Sequence, residues 1–111
     1  MNMQADFHSV FSVEDLLADA RQVADAILQS CKRRPTKRPI ALCQLDGRFV
    51  VTLRAASQPP TDLQFVTMEN PDLEAILAVF HDRWKGGYDP VGMVTDRNEA
   101  GELQSFLLLQ K

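Results

Sequence analysis

Apolar residues at Val13, Leu16, Leu17, Ala20, Val23, Ala24, Ile27, Leu28 and Cys31 recur every three or four positions. Glu14, Asp15, Asp19, Arg21, Gln22, Asp25 and Gln29 take the other side, so the spacing predicts one continuous amphipathic helix. Ser12 stands where an N-cap hydroxyl accepts an orphan backbone N–H, and Glu14 and Asp15 suit the positive end of the dipole. Phe11 and Leu16 have the spacing of a hydrophobic staple. Lys32, Arg33 and Arg34 suit the negative end, and Pro35 stops the helix.

The pattern then changes period. Ile40 to Leu45 and Arg48 to Ala55 read as strands joined by Asp46-Gly47, the dipeptide that a type I′ hairpin turn favours. Such a turn sets Leu45 opposite Arg48 and Leu42 opposite Val51. Ile40, Leu42, Phe49, Val51 and Leu53 then share the expected core face, with Gln44 as its misfit. Ser57 to Thr61 reads as a loop, and Leu63 to Met68 as a third strand. Asn70-Pro71-Asp72 opens a second helix whose expected buried face is Leu73, Ile76, Leu77, Phe80 and Trp84. Gly86-Gly87 closes it. Strands over Val91–Thr95 and Leu103–Gln110 follow, separated by the polar stretch Asp96 to Gly101.

The order α-β-β-β-α-β-β predicts an α+β fold: one mainly antiparallel five-stranded sheet with helices packed on a face. Residues 1–111 are expected to form a single domain, with 1–11 loosely ordered and 32–38 a basic loop. Phe106, Leu107, Leu108 and Leu109 place apolar side chains on both faces of the last strand. That strand is either central, with both faces covered, or part of a subunit contact. The second possibility leads to the expectation of a homodimer, with Phe106, Leu107 and Leu109 in its interface.

Charge sharpens this picture. Five of the twelve basic residues, Lys32, Arg33, Arg34, Lys37 and Arg38, fall within seven positions. The net charge of -3 therefore leaves roughly −8 on the rest of the chain. The run is a candidate grip on phosphates or an acidic partner. No aromatic residue interleaves it, and neither helix-turn-helix nor finger spacing surrounds it. Trp84 and Tyr88 flank the Gly86-Gly87 pair, with Arg83 and Lys85 as a polar rim, in the manner of an interface hot spot.

Catalytic and metal chemistry find little support. Cys31 and Cys43 are expected to be free thiols among apolar neighbours. His8 and His81 form no helical pair, and there is no Cys-x-x-Cys and no calcium-type carboxylate loop. Gly86-Gly87 follows a helix, whereas phosphate-cradling glycines precede one. No cofactor and no catalytic residue is expected. The first ten residues lack the basic start and apolar run of a signal peptide, and no window is apolar enough to span a membrane. A cytoplasmic location is the expectation.

The helix and strand order is similar to that of the secretion chaperones of type III systems, which are also small and acidic, although their final helix has no counterpart here. The resemblance lies in element order alone and implies a partner-binding chaperone role. The function expected is a non-enzymatic protein-binding module, an adaptor, chaperone, inhibitor or immunity-type partner, acting as a homodimer. The alternative is a nucleic-acid-associated regulator that contacts phosphates through residues 32–38.

Overall fold

A computed structural model describes residues 7–111. Strand β1 (His8–Ser12) leads into helices α1 (Val13–Ala18) and α2 (Ala20–Lys32). Strands β2 (Lys37–Leu45), β3 (Arg48–Ala55) and β4 (Leu63–Glu69) follow, then helix α3 (Leu73–Lys85) and strands β5 (Asp89–Arg97) and β6 (Leu103–Gln110). The architecture is α+β. The six strands among the described residues form two three-stranded antiparallel sheets, β1-β3-β2 and β4-β6-β5, in place of the expected single five-stranded sheet.

Two causes account for the difference. The segment expected to be loosely ordered contains β1, which pairs with β3 from His8↔Thr52 to Ser12↔Arg48. Phe11 stacks on Phe49 with ring centroids 5.6 Å apart, so the edge strand is held by aromatic contact as well as by backbone bonds. The remaining part of that expectation, residues 1–6, lies outside the described residues.

The second cause is a seam where β2 and β5 lie side by side without forming a ladder. Each strand is irregular there, between Pro39 and Ala41 and between Pro90 and Gly92, and proline has no N–H to donate. Side chains bridge the gap. Gln44 Nε2 donates to the Thr95 carbonyl at 2.7 Å, and Gln44 Oε1 accepts the Thr95 N–H at 3.0 Å. Gln110 Nε2 donates to the Pro39 carbonyl at 2.8 Å. A Cβ on Gly92 would stand 2.8 Å from Leu42 Cβ, so only glycine permits this approach. Gln44, the misfit of the apolar pattern, thus bonds twice across the seam, and Gln110 once.

The hairpin register agrees with the sequence: Leu45 faces Arg48 and Leu42 faces Val51. Of the two turn residues only Asp46 takes a positive φ, 53°, whereas the expected type I′ turn requires it at both, so the turn is of another type. Phe49, Val51 and Leu53 enter the core, but the irregularity at Pro39/Ala41 turns Ile40 outward, 44% exposed.

The first helix is two helices. Asp19 leaves the helical region at φ −159° and closes α1 through its backbone N–H to the Asp15 carbonyl. Its carboxylate then accepts the Gln22 N–H at 3.1 Å, capping α2. Ser12 caps α1 as expected, accepting from the Asp15 N–H. The buried residues of both helices join Phe49, Val51 and Leu53 of one sheet and Leu63, Val94, Phe106 and Leu108 of the other in one core cluster.

Strand β6 is the central strand of its sheet. Phe106 and Leu108 enter the shared core, while Leu107 and Leu109 alternate to the opposite face and are equally buried. Both faces of the strand are therefore covered within the chain. Phe106, Leu107 and Leu109 are not surface residues, and a central strand explains their apolar character without a subunit contact.

Candidate functional site

Helix α3 is where sequence and structure part furthest. It was expected to bury Leu73, Ile76, Leu77, Phe80 and Trp84, yet none of its residues is buried. Ile76, Val79, Phe80 and Arg83 are half-buried. Leu73, Leu77 and Trp84 remain 71%, 53% and 68% exposed. Four and seven residues apart, these three form one stripe along the helix, displaced around its axis from the half-buried side. The helix has apolar residues for two contacts and is packed through one.

The helix ends are well made. Asp72 is the N-cap, its carboxylate accepting the Ala75 N–H at 2.8 Å. Asn70 accepts the Leu103 N–H and serves the neighbouring strand ends. Glu74 lies in the first turn, and Arg83 and Lys85 in the last, each complementing the dipole. Gly87 takes the left-handed conformation at φ 88° beyond the C-terminus. A 13-residue helix is marginal by itself, so the half-buried side of α3 holds it to its own chain, and the exposed stripe adds nothing to that contact.

Tyr88 is tied to the fold at the exit of α3. Its hydroxyl donates to the Asp62 carboxylate and accepts from Gln64 Nε2, and Lys111 Nζ lies 5.5 Å from its ring centroid. The bond to Asp62 stabilises the neutral phenol and raises its pKa above the ordinary 10.0. The fold is therefore favoured while the phenol stays protonated, and this contribution is lost as pH rises through the raised value. Tyr88 is the only tyrosine, so an ultraviolet titration of the native protein should read this group alone. We expect ionisation above pH 10 in the wild type and a return towards 10 in Asp62→Asn. Equal midpoints in the two proteins would show that the bond does not shift the phenol.

The basic run does not act as one surface. Lys32, Arg33 and Arg34 are exposed, but Lys37 is 1% exposed. Lys37 Nζ donates to the carbonyls of Arg33 at 3.1 Å and Pro35 at 2.8 Å, and lies 5.5 Å from the Phe7 ring centroid. It meets the orphan carbonyls at the negative end of α2, where a cation is favoured. Arg38 is half-buried and reaches the Pro59 carbonyl. Of the five residues singled out as a contact, Lys37 is structural and Arg38 is partly so.

Both cysteines are free. Cys31 is fully buried, and burial pushes its thiol up to about 11, opposite to what a nucleophile needs. Cys43, expected among apolar neighbours, is exposed on β2, and His81 is exposed on α3. Among the described residues no three His, Cys, Asp or Glu side chains gather as a metal site would. No helix among them is long and apolar enough to cross a membrane. An open groove of about 600 Å³ follows β4, an edge strand, between Arg21 and Asp25 on one side and Arg83 on the other.

Comparison with known proteins finds no matching family, no matching curated protein and no matching solved structure.

Proposed function

We propose that this chain is a non-enzymatic protein-binding module, of the adaptor, chaperone, inhibitor or immunity type, that works as a homodimer. One observation carries the reading: the apolar stripe of Leu73, Leu77 and Trp84 stands exposed on a helix with sound caps. Scattered exposed apolar residues are ordinary, whereas an aligned row containing a tryptophan is the usual form of a protein contact. Of the residues expected in an interface, Trp84 supports this reading. Tyr88 contributes by fixing the end of α3.

Trp84 is the only tryptophan and therefore reports on its own surroundings. Its emission should move to shorter wavelength as protein concentration rises and association removes it from water. Leu77→Glu, a change at a 53% exposed site, should keep the long-wavelength emission at every concentration while leaving far-ultraviolet circular dichroism unchanged. An emission maximum independent of concentration in the wild type would refute self-association through this helix.

A second reading, contact with phosphates, is favoured by one observation: Lys32, Arg33 and Arg34 stay exposed side by side at the end of α2. With three cations rather than five its footprint is small, and binding to short DNA or RNA would weaken only modestly with salt, with a log–log slope of about −2 to −3. Loss of that binding in Arg33→Ala/Arg34→Ala would support it; no binding at low salt would dismiss it.

A further inference from the structure

Resting on the homodimer reading, we infer that the occupant of the α3 stripe is α3 of a second copy, packed antiparallel about a two-fold axis that passes between Ala78 and Val79. A two-fold contact must be self-complementary, since one patch serves both copies. The order of residues on α3 meets that condition. The axis relates positions lying symmetrically about the helix midpoint, so Leu73 faces Trp84 of the second copy and Leu77 faces its Phe80. Small and large apolar groups thus alternate across the contact, and the four-three-four spacing is that of a helix-pairing seam.

Charge agrees with the same axis. Glu74 and Lys85 are eleven residues apart, about three helical turns, and so lie on one flank of the stripe. In antiparallel packing, corresponding flanks of the two helices meet, which brings Glu74 of each copy towards Lys85 of the other. Both residues are exposed, and neither joins an ion pair among the described residues, where the single salt bridge is Arg83–Asp82. The two helix dipoles also oppose one another favourably. A parallel two-fold pairing would put this flank of the two helices on opposite sides of the contact, and Glu74 and Lys85 would find no partner across it.

The remaining side of the helix is free to stay where it is. Ile76 and Val79 stay on the half-buried side, Leu73, Leu77 and Trp84 serve the second copy, and the half-buried Phe80, at the border between the two sides, gives its remaining exposed area to the contact. A pair of 13-residue helices, each about 20 Å long, makes an interface near the small end of specific contacts, so a micromolar association is expected.

A charge swap tests the register. At low ionic strength, Glu74→Lys and Lys85→Glu should each weaken the dimer about tenfold, measured by sedimentation equilibrium, because each turns two attractions into repulsions. The double variant should recover the wild-type dissociation constant to within roughly threefold. Both single changes also oppose the helix dipole, and the double variant keeps both of those costs, so recovery reports the contact between copies. An equimolar mixture of the two single variants should associate more tightly than either alone. A dimer indifferent to the single changes, or a double variant no better than the singles, would overturn the antiparallel α3 contact while leaving the homodimer reading in place. A wild type that stays monomeric would overturn both.

Discussion

Replacing Lys37 with Met should lower the free energy of unfolding by about 3 kcal/mol, the largest effect expected of any change in residues 32–38. The substitution keeps an apolar stem of similar length and removes only the ammonium. What is left behind is the carbonyl groups of Arg33 and Pro35, now without their donor, at the end of α2. A hydrogen bond from a charged donor contributes roughly 1.5–3 kcal/mol, and an orphaned buried acceptor adds a desolvation cost. Loss of the contact with the Phe7 ring adds to these. Arg33→Ala and Arg34→Ala should by contrast stay within about 0.5 kcal/mol, since both side chains point into water. Urea denaturation of the three variants reads the difference as a shift in midpoint at constant slope. If Lys37→Met matched the wild type, the charge would have no structural role, and all five basic residues would again be candidates for a contact.

The second large effect is at Phe49. This side chain is fully buried, stacks on Phe11 of β1 and meets Phe65 of β4 edge-on with centroids 6.3 Å apart. One ring therefore joins the N-terminal strand, the first sheet and the second sheet. Phe49→Ala should cost about 4 kcal/mol, from lost burial and from a cavity that three separate elements cannot close together. In a domain of this size that lowers the thermal midpoint by roughly 15 °C. A loss below about 1 kcal/mol would mean that the two sheets do not share a core through this residue.

Much of the local structure was legible because its causes are local. Ser12 and the Asp46-Gly47 turn act within a few residues, and the hairpin register followed from loop length alone. Leu103–Gln110 stood out by its apolar run and lies where it was expected. The break at Asp19 was hidden because an aspartate inside an amphipathic pattern reads as one more polar position. Its backbone conformation and its capping bond to Gln22 give it another role. Strand β1 was hidden because five residues carry little periodicity, and its partner is more than thirty positions away.

The sheet seam shows a different limit. Pro39, Pro90 and Gly92 each hinted at irregular strands, but only the fold brings two irregular edges together and gives Gln44 a partner on β5. The candidate site illustrates the same point twice. Five adjacent cations look alike in sequence, and one of them turns inward because two carbonyls at a helix end await a donor. The apolar face of α3 was read correctly as apolar and wrongly as buried in its own chain. One sign was present: Val79, Ile76, Phe80, Leu73, Trp84 and Leu77 together span about 160° of the helix, wider than one sheet contact requires.

That α3 joins two copies of the chain is tested most directly by sedimentation equilibrium of the wild-type protein across a dilution series through the micromolar range. The expected mass rises from 12.5 kDa at the lowest concentrations towards twice that value at the highest, and Leu77→Glu holds it at 12.5 kDa throughout. A wild-type mass of 12.5 kDa at every concentration would contradict the dimer, and a variant that dimerises as well as the wild type would move the contact away from this helix.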